Sequence, residues 1–486
     1  MIFEWKKSFA WSRAALSAGL ALAIVGGTLP AQSADAAGAA GAASLPAAAG
    51  RTAISAEIDG QPARWGPSVY TYRSLTYVPV REGAVSLGAQ VTWDKVQRAA
   101  IVTLNGDELL YRPGSDTVSI NGFALRMPGT TRYVDGILTV PLRGLTEPLK
   151  ADVAPVSGPG TLKLSLTTDT HTQVDPGMEP VDAFLKTQNF SGSVLVAQNG
   201  SVKMRKAYGV SSASTLVRPT DLMRLGSLTK TFTAASVMKL AEEGKLSVDD
   251  TLAQHIPGYP RGDEITIGML LSHTSGIALN FERKEGTPLA ETVKEIQASP
   301  LKFVPGTDYM YSNSGYVLLA YIIEETSGMS YPEFVQSQIL EPLGMKNSGT
   351  ATRQTKIPTG YTYDWQEKAW KSVDEYYFSP SGTGSLYSTL DDMLIWADSL
   401  SAGKLLSEAT MDAMYTPTPY KNYGYGWMTE GEGADKVVFH NGGGNGYTTG
   451  LRRGLSDGTV VVLLGNLGGL DTNAMTAAIR RLAFDQ

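Results

Sequence analysis

Three short strings in this chain carry side chains able to do chemistry together. The first is Arg224-Leu225-Gly226-Ser227-Leu228-Thr229-Lys230, which contains Ser-x-x-Lys. A serine hydroxyl is a poor nucleophile until a base takes its proton, and a buried lysine with a depressed pKa can act as that base. The second is Tyr311-Ser312-Asn313, just after Pro305-Gly306. A loop-borne Tyr and Asn two apart can project into one cleft, the phenol as proton carrier and the amide as hydrogen-bonder. The third is His440-Asn441-Gly442-Gly443. Its glycines let a substrate backbone approach a strand edge and leave a backbone N–H for an oxyanion. Taken singly, each string is weak: Ser-x-x-Lys arises by chance in many helices, and a lone His440 reads as a surface or structural residue. In this order within one segment, they point to nucleophilic serine chemistry.

The elements that must position them follow from periodicity. Residues 231–241 read as a helix with Phe232, Ala235, Met238 and Leu240/Ala241 on a buried face and Gly244 as its stop. Ser227 falls at its first turn, with Lys230 on the same face one turn along. The helix N-terminus adds partial positive charge and free N–H groups near a developing oxyanion. Tyr311 and Asn313 lie in a loop ahead of a helix over about 315–325, and a strand over 436–439 leads into His440. A helix over 181–187 opens the segment, and a hairpin then pairs 193–197 with 202–204 about Asn199-Gly200, the strongest two-residue hairpin signal. A second hairpin joins 447–452 to 459–464 through Asp457-Gly458, and a helix over 472–484 ends the chain. Strands at both ends with helices between predict an α+β fold, an antiparallel sheet flanked by helices.

Composition narrows the chemistry. The 486 residues carry 41 Lys+Arg against 47 Asp+Glu, a net charge of −6 without a long like-charge block. A nucleic-acid binder would show a basic patch and a high pI. With 42% hydrophobic and 18% charged residues, the chain is neither disordered nor fibrous. Cysteine is absent, which excludes disulfides, thiolate metal sites and thiol catalysis. Only four histidines occur (His171, His255, His273, His440), so neither a metal nor any other cofactor is expected.

The N-terminus reads as an export signal over residues 1–36. Lys6, Lys7 and Arg13 precede an apolar Ala/Leu stretch, and Ala34-Asp35-Ala36 fits the cleavage rule. An Ala/Gly-rich leader follows over 37–52. No later segment has the ~20 apolar residues of a membrane span, so none is expected after signal cleavage. Residues 53–168 hold an internal repeat: Ile58-Asp59-Gly60 recurs as Ile120-Asn121-Gly122, and Tyr77-Val78-Pro79-Val80-Arg81 as Thr139-Val140-Pro141-Leu142-Arg143. Both pairs are offset by 62 residues, as are Leu87 with Leu149, Ala89 with Ala151 and Val91 with Val153. A fixed offset means one supersecondary unit used twice. Each copy should open with a strand and a Gly turn, then a Val-Pro-x-Arg segment leading to a short helix and alternating strands. The second copy departs at Lys150 and Pro155, where the first has Gly88 and Trp93, and its structure is the less secure. A polar, proline-containing linker over 169–180 precedes a large domain over 181–486.

On the three strings, supported by Leu271-Ser272-His273-Thr274-Ser275-Gly276, Ser385-Leu386-Tyr387-Ser388-Thr389 and Gly424-Tyr425-Gly426-Trp427, residues 181–486 resemble the penicillin-recognising serine hydrolases. The branch is the class C β-lactamase-like one, with DD-peptidases and related esterases. The repeats resemble the module named after the N-terminal domain of copper amine oxidases, although they contain no histidine and copper binding does not follow. The resemblance implies an acyl-enzyme on Ser227, with Lys230 and Tyr311 shuttling its proton and passing it to the leaving group. Asn313 would orient the substrate amide, His440, Gly442 and Gly443 would line the substrate edge, and the N–H groups of Ser227 and Gly443 would form the oxyanion hole. His273 belongs to a family string read as structural.

The third string departs from the Lys-Thr-Gly of active β-lactamases, and a neutral histidine near pH 7 attracts a carboxylate less. Arg452 and Arg453 are read as solvated hairpin-end residues, and the aromatic stretch 361–378 as cross-strand packing rather than a substrate wall. The expectation is a secreted, cofactor-free serine hydrolase, DD-carboxypeptidase-like or D-amino-acid-peptidase-like on peptidoglycan-type peptides. The alternatives are an esterase or weak β-lactamase of the same fold, or a non-catalytic protein binding wall peptides or β-lactams. Expected partners are a small peptide, ester or β-lactam substrate and, through the module, a cell-wall polymer, with no nucleic acid.

Overall fold

The computed structural model describes residues 54–63, 65, 69–156, 162–278, 286–364, 366–367, 369–373, 381–400, 403–444 and 446–485. The signal and leader expected over 1–52 lie outside the described residues, as do Trp365, Tyr376, Tyr377 and Phe378 of the aromatic stretch.

Seven strands form the sheet of the large segment, in the order Gln173–Val174, Ser201–Tyr208, Gly192–Gln198, Thr459–Gly465, Tyr447–Gly454, Val437–Gly444 and Met428–Glu430. Every pairing is antiparallel. The first and last parts of the large segment thus meet at the sheet's middle, Val194 opposite Leu463. Helices cover both faces, which is why Thr459–Gly465 is buried throughout and reads as a nearly continuous apolar run. Its side chains alternate between two cores. Val461 and Leu463 pack with Val181, Leu185, Met475 and Ile479 from the helices Glu179–Thr187 and Thr472–Phe484. Val460, Val462 and Leu464 belong to the larger core that holds Phe232, Tyr316 and Trp396.

The helix Thr229–Glu242 lies inside that larger core and is buried nearly all round, not on one face. Its polar groups are satisfied locally: Thr231 donates to Leu228 O at 2.8 Å, Thr233 to Gly382 O at 2.8 Å and Ser236 to Phe232 O at 2.8 Å. Phe232 stacks on Trp396 with ring centroids 4.0 Å apart. Emptying such a position costs about 3–5 kcal/mol. Among the described residues, no helix is long and apolar enough to cross a membrane.

In the repeat module the copies pair through equivalent residues: Val78 lies directly opposite Val140 in antiparallel register. A pseudo-twofold axis therefore passes between them. The Gly turns repeat too, with Asp59 and Gly60 at φ +47° and +79° and Asn121 and Gly122 at +48° and +91°. Lys150, at φ +56°, adopts the left-handed turn that Gly88 makes at +85°. The strand Asp152–Val156, which carries Pro155, is a sheet edge, where proline is tolerated. The departures at Lys150 and Pro155 leave the second copy's turn and strand in place.

Both copies dock on the large segment, the first through Asn105 and Asp107 and the second through Glu147 and Lys150. Lys206, wholly buried, bridges Asp107 and Asp182 at 2.9 Å each and donates to Asn105 O at 2.8 Å. Lys150 donates to Ala207 O at 3.1 Å and lies 3.6 Å from Asp107. Burial pushes the Asp107 carboxyl up, but Lys150 and Lys206 outweigh it and hold it below its ordinary value. Leu216 enters the module's core, and Glu147 accepts from Leu216 N at 3.0 Å.

Candidate active site

The strand Met223–Arg224 pairs with Leu386–Ser388 and delivers the chain to Gly226 at φ +53°. A Cβ there would lie 3.0 Å from Gly443 N, so glycine lets this turn abut the strand Val437–Gly444. Ser227 sits in the 3₁₀ turn Gly226–Leu228, directly ahead of the helix Thr229–Glu242. Lys230, one turn along, is wholly buried. Its Nζ donates to Ser227 Oγ at 3.1 Å, Asn313 Oδ1 at 2.8 Å and Thr383 O at 3.0 Å. It also lies 4.9 Å from the centroid of the Tyr311 ring. The structure therefore gathers Ser227, Lys230, Tyr311 and Asn313 around one ammonium.

Asn313 is not loop-borne. The helix begins at Asn313 and runs to Ser327, because Ser312 caps it by accepting from Gly315 N at 2.9 Å. The helical turn aims Asn313 Oδ1 at Lys230, a job distinct from orienting a substrate amide. The segment on its N-terminal side is held by His273. Met310 N donates to His273 O at 3.0 Å and Ser312 N to His273 Nδ1 at 3.1 Å, so one residue brackets Tyr311 from both sides. The His273 ring also packs 4.4 Å from the Tyr311 ring. Burial, with Lys230 and His440 nearby, holds its pKa well below 6.5. With Nδ1 accepting, the ring proton resides on Nε2.

The strand does not end at Phe439 but continues through the whole third string to Gly444. A Cβ on Gly442 would overlap the Leu225 carbonyl oxygen and come within 3.0 Å of Ser227 N. Its place is the contact between strand and nucleophile turn. Gly443 faces open space, and its nitrogen and that of Ser227 flank the same junction. Thr449, paired with Gly442, locks the junction by donating to Leu225 O at 2.7 Å.

His440 is wholly buried behind this edge rather than displayed on it. Its Nδ1–H donates to Asn441 O at 2.6 Å, and Nε2 accepts from Tyr423 at 2.9 Å. Burial first, then the Lys230 charge, pushes its pKa down to about 3, so it is neutral across physiological pH. Its partner Tyr423 packs 4.7 Å from the His273 ring and joins the two histidines at the rear of the site. Tyr423 and Thr383 are additions to the predicted residues. Each adjoins or falls within a glycine-containing string, but nothing in residue type announced its partner.

Arg452 and Arg453 are buried, not solvated at a hairpin end. Their strand, Tyr447–Gly454, lies inside the sheet, so both faces are covered. Arg452 pairs with Glu430 at 2.8 Å and lies over the Phe439 ring at 4.3 Å. In the aromatic stretch, Tyr361–Asp364 and Ala369–Ser372 form the expected hairpin with Tyr363 against Trp370, ring centroids 5.4 Å apart. The same two rings, with Gly444, Gly446 and Leu470, line a cleft of about 610 Å³ at the end of the glycine strand.

Residues 174–485 match the Beta-lactamase family, and residues 57–164 match the Copper amine oxidase N-terminal domain. The Bacillus subtilis protein PbpX, described as a penicillin-binding protein, is 31% identical over 257 residues, covering 51% of this chain and 64% of the relative. A Staphylococcus aureus teichoic acid D-alanine hydrolase is 27% identical over 257 residues, 51% of this chain and 62% of its own length. The chain thus spans less than two thirds of either relative. The crystal structure of FmtA from Staphylococcus aureus superposes with a TM-score of 0.58 at 25% identity, covering 65% of this chain and 93% of that one. With the family match running over more than half its length, across the sheet and all three strings, the chain belongs to the Beta-lactamase family of serine hydrolases.

Proposed function

We propose that this chain is a secreted hydrolase of wall-type D-amino-acid peptides, acting through an acyl-enzyme on Ser227. The observation that carries the reading is the buried Lys230 ammonium, 3.1 Å from Ser227 Oγ and held by Asn313 and Thr383. In the reacting form Lys230 is the neutral amine. Ser227 Oγ attacks the substrate carbonyl carbon while its proton passes to Lys230 Nζ. The oxyanion is met by the N–H groups of Ser227 and Gly443. Tyr311 relays the proton to the leaving amine or alkoxide as the scissile bond breaks. Water then attacks the ester carbonyl, and its proton returns along the same path to Ser227 Oγ.

The substrate class draws support from His440, neutral and buried where a β-lactamase has a lysine, and from the staphylococcal relative whose name attaches it to D-alanine. An esterase reading is favoured by one feature: among the described residues lining the 610 Å³ cleft, none carries a charged side chain. The repeat module is read as the part that holds the enzyme at the cell wall.

Intact-mass spectrometry of the chain after exposure to benzylpenicillin, beside Ser227→Ala, tests the reading. A persistent adduct lost in the variant supports a DD-peptidase-like enzyme. Drug turnover identifies a lactamase, and cleavage of p-nitrophenyl esters alone an esterase. Silence in all three favours a binding protein on the same fold.

A further inference from the structure

The two repeat copies share a backbone and a pseudo-twofold axis but meet different surroundings. In the second copy, Glu147 binds Leu216 N and Arg218, and Lys150 binds Ala207 O, so that face is closed by the large segment. The equivalent face of the first copy is open: Val85, the counterpart of Glu147, is 54% exposed. Beside it runs a groove of about 320 Å³ whose lining includes Arg81, Glu82, Thr92, Trp93 and Tyr133. It lies between two sheet edges, Gln90–Asp94 and Arg132–Val134.

Three residues in this groove have no need to be there for the fold. At the offset of 62, Glu82 corresponds to Gly144, Trp93 to Pro155 and Tyr133 to Thr71. The second copy builds the same strand and helix without the carboxylate or the indole, and the first copy builds the strand equivalent to that of Tyr133 without the phenol. Arg81, by contrast, recurs as Arg143, and its guanidinium serves the fold by donating to Val91 O at 3.1 Å. What sets this groove between the copies apart is therefore its chemistry toward a ligand.

That chemistry is specific. Trp93 is 41% and Tyr133 37% exposed, unusual for rings this large on a small module, and both flank the same groove. Glu82 Oε2 is buried and accepts no hydrogen bond. A buried acceptor left unfilled is costly, and a ligand donor that reaches it would remove that cost. A ligand that suits all three must offer flat C–H faces to the rings and O–H or amide N–H donors to the carboxylate. Pyranose rings with hydroxyl or N-acetyl substituents do so. The groove's volume, at the lower end of ligand sites, suits one or two such rings.

We infer that the groove between the two repeat copies is a saccharide-binding site formed by Glu82 and Trp93 of the first copy and Tyr133 of the second. The inference rests on the wall-directed reading of the module given above and names the wall component it grips: the glycan, not the peptide. The site lies on the module, away from Ser227, so glycan would tether the enzyme without occupying its catalytic cleft.

The test is calorimetric titration of the full chain with chitotetraose, using Ser227→Ala to keep binding separate from turnover. Saturable binding is expected, weakened at least about tenfold by Trp93→Ala or Tyr133→Ala. Glu82→Gln should weaken it less, since an amide oxygen still accepts. In the Ser227-containing versions of these variants, the rate of penicillin labelling at Ser227 should be unchanged, which shows that they fold. Absence of saturable binding, or affinity within about twofold of the parent in both ring variants, overturns the site. Binding of stem peptide in place of glycan overturns it too. Because the titration does not depend on Ser227, it can fail while the hydrolase reading stands, and the reverse.

Discussion

Lys206 and Lys230 are both wholly buried, and they are surrounded in opposite ways. Lys206 sits between the carboxylates of Asp107 and Asp182, each 2.9 Å away. Lys230 makes its hydrogen bonds to a hydroxyl, an amide oxygen and a peptide carbonyl. In the first environment the ammonium is neutralised by partners that the fold brings from two segments, and a charge so held cements them. In the second it donates to neutral oxygens, one of them the Oγ of Ser227, the proposed nucleophile. Removal of its proton there leaves no carboxylate of Asp107 or Asp182 stranded. The comparison separates a lysine that stabilises from one placed to exchange protons.

The largest expected effect comes from the second lysine. Lys230→Met should slow acylation of Ser227 by about a thousandfold, read by stopped-flow with a fluorescent penicillin. Retention of a tenth of the rate would break the distinction. Lys206→Met should do the reverse. It removes the cation shared by two carboxylates that keep Lys150 and Lys186, and should cost about 1.5–3 kcal/mol in urea unfolding, with acylation by the folded protein unchanged.

A pH series sharpens the same contrast. The Lys206 partners Asp107 and Asp182 titrate below their ordinary 3.8. Their contribution is therefore complete above that value and lost as pH falls through the depressed one. The histidines behind Lys230 act earlier. His440, held down to about 3 from an ordinary 6.5, stays neutral in the fold while the unfolded chain takes up protons. Stability should therefore begin to fall as pH drops below 6.5 and continue to fall toward 3. Thermal melts of His440→Asn should show a shallower decline over that window; an unchanged slope would mean that His440 titrates normally.

The smallest effect is at the cleft wall. Trp370→Ala should raise KM several-fold for esters with bulky aromatic acyl groups and leave an acetyl ester unaffected. Equal effects on both would assign Trp370 to hairpin packing alone.

Much of this was legible before any coordinates. The Asn-Gly hairpin and the terminal hairpin appear where local rules place them, because each depends on residues close in sequence, and the offset of 62 reappears as two copies that pair through equivalent residues. The helix starts at Asn313, two residues before the expected start, because the Ser312 side chain caps it there. The burial of Arg452 and Arg453 was missed because a hairpin end looks exposed until neighbouring strands and helices are known.

Residue type and order single out Ser227, Lys230, Tyr311 and Asn313 as candidates, since few side chains can serve as nucleophile, base and proton carrier, and the structure brings the four together. Only the tertiary structure decided that His273 brackets Tyr311, that His440 turns inward to Tyr423 and that Lys150 docks the module. Those are contacts between segments far apart in the chain. Their geometry depends on how sheet and helices pack, which no local pattern records.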